Sequence, residues 1–191
     1  MVATSVCPSC GRARRVATGS YELLSAASFF RMPAPPRLGR LPDPAELKKE
    51  LMVICRQPRG WWIAEKAHIL MGLDCVRSYV AEGPTGPPQD EGVYADAVRS
   101  YLELAVTRVP SPQYRKLLMV VLGLGDDRWR EAEWRSKPLQ ERQEEAGRVF
   151  REPDGARPST VRAHQPKAVE ILVKVILDDE AALRDRNRRG R

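Results

Sequence analysis

Proline, glycine and capping residues cut this chain into helix-length pieces, and that punctuation limits the fold more than any other feature. Asp43-Pro44-Ala45-Glu46 places a carboxylate at an N-cap, proline at the first helical position and glutamate behind it, so the orphan amides of a helix start are answered. Leu47, Leu51 and Ile54 then recur on one face until Gln57-Pro58 stops the helix. A second helix is expected over residues 61–71, with Ile63, Ala67 and Leu70 inward, and a short third over residues 75–81, capped by Asp74. The Pro/Gly-rich run 83–92 forbids helix and joins two helical layers. Residues 93–109 form an amphipathic helix with Ala97, Val98, Tyr101, Leu102, Leu104, Ala105 and Val109 inward. Ser111 caps the next helix, 113–122, and Gly123 ends it as a C-terminal glycine should. The sum is an all-α, compact multi-helix bundle of about six or seven helices.

Composition agrees with a folded core. Hydrophobic residues make up 42% of the 191 and charged residues 30%, which is inconsistent with wholesale disorder. No apolar run reaches the roughly eighteen residues that span a bilayer, and no signal-peptide layout opens the chain. A cytoplasmic protein without a membrane partner is expected. The net charge of +7 is uneven: residues 1–40 carry six arginines against one glutamate, residues 41–134 carry 12 cations against 14 carboxylates, and residues 135–191 carry 14 against 10. Basic ends suit a polyanion as well as a solvated tail.

Residues 1–40 read as a disordered Arg/Pro-rich leader, residues 41–182 as a single helical domain, and residues 183–191 as a disordered basic tail. Translation from Met32 would leave residues 1–31 outside the folded protein. In the leader, Cys7-Pro8-Ser9-Cys10 has the spacing of half a zinc knuckle, so Cys7 and Cys10 are weak metal candidates. A structural site needs four ligands, and Cys55, Cys75 and His68 fall in expected helices rather than a second CxxC. No cofactor or metal is therefore expected. Nor is catalysis: the chain has no phosphate loop, no HExxH and no nucleophile elbow, and its two histidines are far apart. The carboxylate pairs Asp126-Asp127 and Asp178-Asp179 read as solvent-facing charge or caps.

The stretch from Leu139 onward carries the functional reading. Leu139, Ala146, Val149 and Phe150 mark a core face, while Glu141, Arg142, Gln143, Glu144, Glu145 and Arg148 mark a solvent face. A polar loop follows, then Ser159 or Thr160 caps a helix bearing Val161, Arg162 and His164 in its first turn. Pro166 is expected to interrupt it, leaving 168–177 as a separate apolar helix. Leu117-Leu118, Leu122-Gly123-Leu124, Leu139-Gln140-Glu141-Arg142 with Ala146, and Ser159-Thr160-Val161-Arg162 together resemble a family of small uncharacterised all-helical actinobacterial proteins. That resemblance covers roughly residues 43–177 and implies the fold and a late helix-turn-helix character. The same segment is distantly similar to helix-turn-helix regions of sigma-factor and response-regulator type, although its turn is about twice the usual three or four residues.

On that basis the chain is expected to be a DNA-binding regulatory protein using a degenerate helix-turn-helix at 139–165. Ser159 and Thr160 would contact phosphate, Arg162 a guanine edge, and His164 or Gln165 the next base. Arg157, Lys167 and the Arg-rich tail would supply sequence-independent affinity for double-stranded DNA. The alternative is a helical interaction module that docks a protein partner, or a second copy, through the 168–177 helix. An exposed basic face on Arg157, Arg162 and Lys167 favours the first; an exposed apolar patch favours the second.

Overall fold

The structure, a computed structural model, describes residues 5–6, 13–14, 39–57, 63, 66–80, 91–124, 137–150 and 157–190. The chain divides into two units, Met1–Arg31 and Met32–Arg191. In the first, β1 (Ser5–Val6) pairs antiparallel with β2 (Ala13–Arg14), Ser5 opposite Arg14. The Arg/Pro-rich leader thus carries one short ladder among its described residues. Cys7 and Cys10 lie outside them.

The second unit is an all-α bundle. Its seven described helices are α1 (Pro44–Arg56), α2 (His68–Gly72), α3 (Asp74–Arg77), α4 (Glu91–Thr107), α5 (Pro112–Leu122), α6 (Leu139–Phe150) and α7 (Pro158–Arg189). Local chemistry explains the first and fifth. Asp43 accepts a hydrogen bond from the Ala45 amide at 2.9 Å with Pro44 in the first turn. Ser111 accepts from the Tyr114 amide at 3.4 Å, and Gly123 closes α5 at φ 64°, the left-handed conformation that glycine adopts freely.

The core is continuous from Leu47, Leu51 and Ile54 of α1 through Val98, Leu102 and Ala105 of α4 and Leu117, Leu118 and Val121 of α5 to Val169, Leu172 and Ile176 of α7. Leu104, expected inward on α4, is instead 46% exposed, and Tyr94 one turn above the Val98 row is buried in its place. The third helix ends at Arg77, earlier than expected, and Asp74 is its first residue rather than its cap.

Three expectations about the C-terminal third are corrected. First, Pro166 does not break the helix: α7 runs uninterrupted for 32 residues. The proline lacks the amide that would bond the Arg162 carbonyl, at a cost of about 3 kcal/mol. Pro166 and Arg162 both lie on the exposed side, where water can serve that carbonyl. Val161 before the proline and Ala168, Val169 and Leu172 after it are fully buried, and that burial offsets the lost bond. Second, α7 begins one residue before Ser159; Arg157 is its N-cap, with no side-chain capping bond, and Pro158 takes the first turn. Third, the supposed tail from 183 onward is helical to Arg189.

Candidate nucleic-acid interface

The residues expected to face solvent on α6 divide sharply. Glu141, Glu144 and Arg148 are exposed, but Arg142 is fully buried and Gln143 nearly so. Arg142 inserts its guanidinium where two helix C-termini converge. Its Nη1 donates to the Cys55 carbonyl at 2.8 Å and to the Val121 carbonyl; Nη2 donates to the Arg56 carbonyl at 2.6 Å, and Nε to the Lys137 carbonyl at 3.2 Å. Terminal carbonyls carry the partial negative charge of the helix dipole, so they serve as counter-charge to the guanidinium, which pairs with no carboxylate among the described residues. Desolvation brings the Arg142 pKa down to about 10, which keeps it cationic at neutral pH. Beside it, Gln143 Nε2 donates to Gln165 Oε1 at 2.9 Å, both side chains buried. The Cys55 thiol lies in the same node, pushed up to about 12 by burial against the smaller opposing effects of Arg142 and Gln165.

This node removes two of the expected base readers. Gln165 is only 2% exposed and committed to Gln143. His164 is half-buried between Tyr114 and Phe150, its Nδ1 3.2 Å from the Tyr114 hydroxyl and its ring 5.1 Å from the Phe150 ring. Thr160 is half-buried as well. The apolar residues expected as a docking face are not available either: Ala168, Val169, Leu172, Val173 and Ile176 lie in the domain's own core.

What α7 leaves exposed over its first half is Ser159, Arg162, Ala163, Pro166, Lys167, Glu170 and Lys174, with Arg157 exposed at the cap. At about 100° per residue these helical positions fall within an arc of about 140°, with Arg162 at one edge and Lys167 at the other. Lys48 of α1 extends the face, donating to Glu170 at 2.9 Å. Glu170 is held below the usual carboxylate range, chiefly by that hydrogen bond and the Lys48 charge, with Lys174 and Lys167 adding to it. Three lysines therefore gather about one carboxylate, leaving a positive excess that Arg162 enlarges. Spacing on α7 made Arg162 and Lys167 visible in the sequence; Lys48, 122 residues from Glu170, was not.

A second polar cluster, also missed, lies where α3, α4 and α7 meet. Asp179, expected at the solvent, accepts from the Tyr101 hydroxyl at 2.7 Å and is bidentate with Arg108. Glu180, fully buried, accepts from the Cys75 amide at 2.9 Å, the Asp74 amide at 3.1 Å and Arg184 Nε at 2.7 Å. Burial pushes the Cys75 thiol up to about 12, and the Tyr101 phenol upward as well. The cluster's groups saturate one another and tie α7 to α3 and α4.

Among the described residues no group of three or more His, Cys, Asp or Glu could hold a metal ion, and no helix is long and apolar enough to cross a membrane. Comparison with protein-family models, with curated proteins and with solved structures gives no match, so geometry alone guides the functional reading.

Proposed function

We propose that this protein is a DNA-binding regulatory protein that holds double-stranded DNA by its phosphates rather than by reading base edges. The observation that carries this reading is the exposed basic face of α7 and α1, where Lys48, Lys167 and Lys174 gather about the carboxylate of Glu170 and Arg162 lies at the edge of the same arc. The packing of His164 and the burial of Gln165 leave Arg162 as the principal candidate for a base contact, so sequence discrimination is weak and electrostatic affinity dominates.

Fluorescence anisotropy with a labelled random duplex across a salt series tests it, comparing the wild type with an Arg162/Lys167/Lys174→Ala triple variant. Wild-type binding should weaken steeply with salt. The variant should bind about tenfold more weakly at low salt, with a log–log slope shallower by about 2 to 3, since each phosphate contact contributes about 0.9. Absence of wild-type binding at low salt would end the reading.

A further inference from the structure

The C-terminal end of α7 is a second basic element that the bundle does not explain. Leu183 is the last apolar residue of α7 that packs against the core, and Arg184 beside it is paired with Glu180. From Asp185 to Gly190 every residue is exposed, so the helix continues past its packing surface with Arg186, Arg188 and Arg189 on it. Between this end and the first basic face the exposed carboxylate is Asp178, while Asp185 lies one turn before Arg188 and Arg189. The long helix is thus positive, negative and positive again along its length.

The spacing between the positive ends is fixed by helix geometry. Lys167 and Arg188 are separated by about 31 Å at 1.5 Å per residue. Arg188 and Arg189 straddle the line of Lys174, displaced from it by about 40° one way and 60° the other at 100° per residue. Lys167, Lys174, Arg188 and Arg189 therefore point to the same side, with Arg162 and Arg186 about 120° to either flank of Lys174, and the Lys167–Arg188 separation is close to the 34–36 Å repeat of duplex DNA. A rod placed along a duplex meets phosphates of a given strand once per turn and faces a groove between; the acidic middle of α7 falls over that groove.

Resting on the DNA-binding reading above, we propose that α7 acts as a ruler, engaging phosphates about one helical turn apart on a single duplex through Lys167 and Lys174 at one end and Arg188 and Arg189 at the other. The two sites share one rigid element, so the second contact is made at high effective concentration once the first is in place.

The test uses the full chain with duplexes of about 8 bp, too short to reach both ends, and about 16 bp, long enough to do so. Each is titrated against the wild type and an Arg186/Arg188/Arg189→Ala variant, with thermal melts confirming that the variant is folded. The wild type should bind the longer duplex at least about tenfold more tightly per available site, with a salt slope greater by about 2 to 3. The variant should match the wild type on the short duplex and lose that gain on the long one. Equal affinities of variant and wild type on both lengths would overturn the ruler while leaving the basic face intact, and would reduce the arginines to favourable partners of a helix C-terminus. Failure of the wild type to bind either duplex would overturn both proposals. A variant weakened equally on both lengths would also refute the ruler, because the effect would not depend on span.

Discussion

Two ends of this bundle solve the same problem with opposite charges. Where α1 and α5 finish, one buried arginine gathers their last carbonyls; where α2 and α3 begin, carboxylates gather the first amides. Glu50 of α1 accepts from the Ile69 and Leu70 amides at 2.9 and 2.8 Å, and Glu180 of α7 accepts from those of Asp74 and Cys75. Short helices cannot satisfy their own termini, and α2 and α3 have no side-chain caps of their own. The long helices supply the missing groups from outside. The two carboxylates differ in what joins the amides: at Glu180 the Arg184 guanidinium and the Cys75 thiol. Glu180 has Arg184 one turn along, and against its burial the Cys75 amide, the guanidinium, the Asp74 amide and the Cys75 thiol together hold its pKa below the usual value. Among the described residues Glu50 has the two amides, and burial wins, lifting it to about 7. Two amides do not keep Glu50 acidic against its burial, whereas at Glu180 the guanidinium and the thiol add to the amides and reverse the balance.

The strongest way to break the comparison is at the arginine. Arg142→Met keeps much of the buried stem while removing all four hydrogen bonds to carbonyls of Lys137, Cys55, Arg56 and Val121. The buried carbonyls of Cys55 and Val121 lose their donor in a place water does not reach, and the part-buried carbonyl of Arg56 loses its own. The expected loss is about 3–5 kcal/mol in urea unfolding. A loss under about 1 kcal/mol would show that the helix ends find other donors and that the guanidinium is incidental.

Glu180→Ala comes next. It removes the ion pair with Arg184 and the acceptor of the two α3 amides together, for an expected loss of about 2–4 kcal/mol at neutral pH. Because its folded pKa lies below the unfolded value of 4.5, its contribution is fully present above about that pH and disappears as pH falls through the folded pKa. Acid unfolding of the wild type should therefore steepen below about pH 4.5, and the Ala variant should lose that steepening. Double substitution with Arg184→Ala should cost less than the sum of the two single changes, since each leaves the other's partner buried.

These two nodes also mark where the sequence stopped being legible. The starts of α1 and α5 could be read because their caps, prolines and terminal glycine act within a few residues. Arg142 could not: its helical neighbours Glu141 and Glu144 are exposed, and its burial is decided by the C-termini of α1 and α5, which lie 87 and 21 residues earlier in the chain at Cys55 and Val121. Pro166 was misread for a related reason, since local propensity breaks a helix that packing on both sides of the proline keeps whole. At the basic face, Arg162 and Lys167 followed from periodicity, whereas His164 and Gln165 share their helical turns with buried positions and were claimed by Tyr114, Phe150 and Gln143. What could be read was the chemistry of each helix; what could not was which helix end another side chain would find.

The smallest expected effect gives the sharpest test of the difference between the carboxylates, because it has a sign. Glu50 titrates near 7 in the folded chain against 4.5 when unfolded. Between those values the unfolded chain has released its proton while the folded chain keeps it, so stability falls as pH rises from about 4.5 to 7 and levels off on either side. This is the reverse of Glu180, and the two windows meet near pH 4.5 rather than overlapping. Screening at a partly exposed site reduces the expected drop to about 1–3 kcal/mol. Glu50→Gln, which keeps an acceptor oxygen but cannot titrate, should flatten stability between pH 4.5 and 7 and leave the acid limb below it unchanged. Urea unfolding in steps of half a pH unit reads both limbs in one experiment. A wild-type stability that rises through this window would mean that the amides of Ile69 and Leu70 hold Glu50 acidic unaided, and the role assigned to Arg184 beside Glu180 would fall with it.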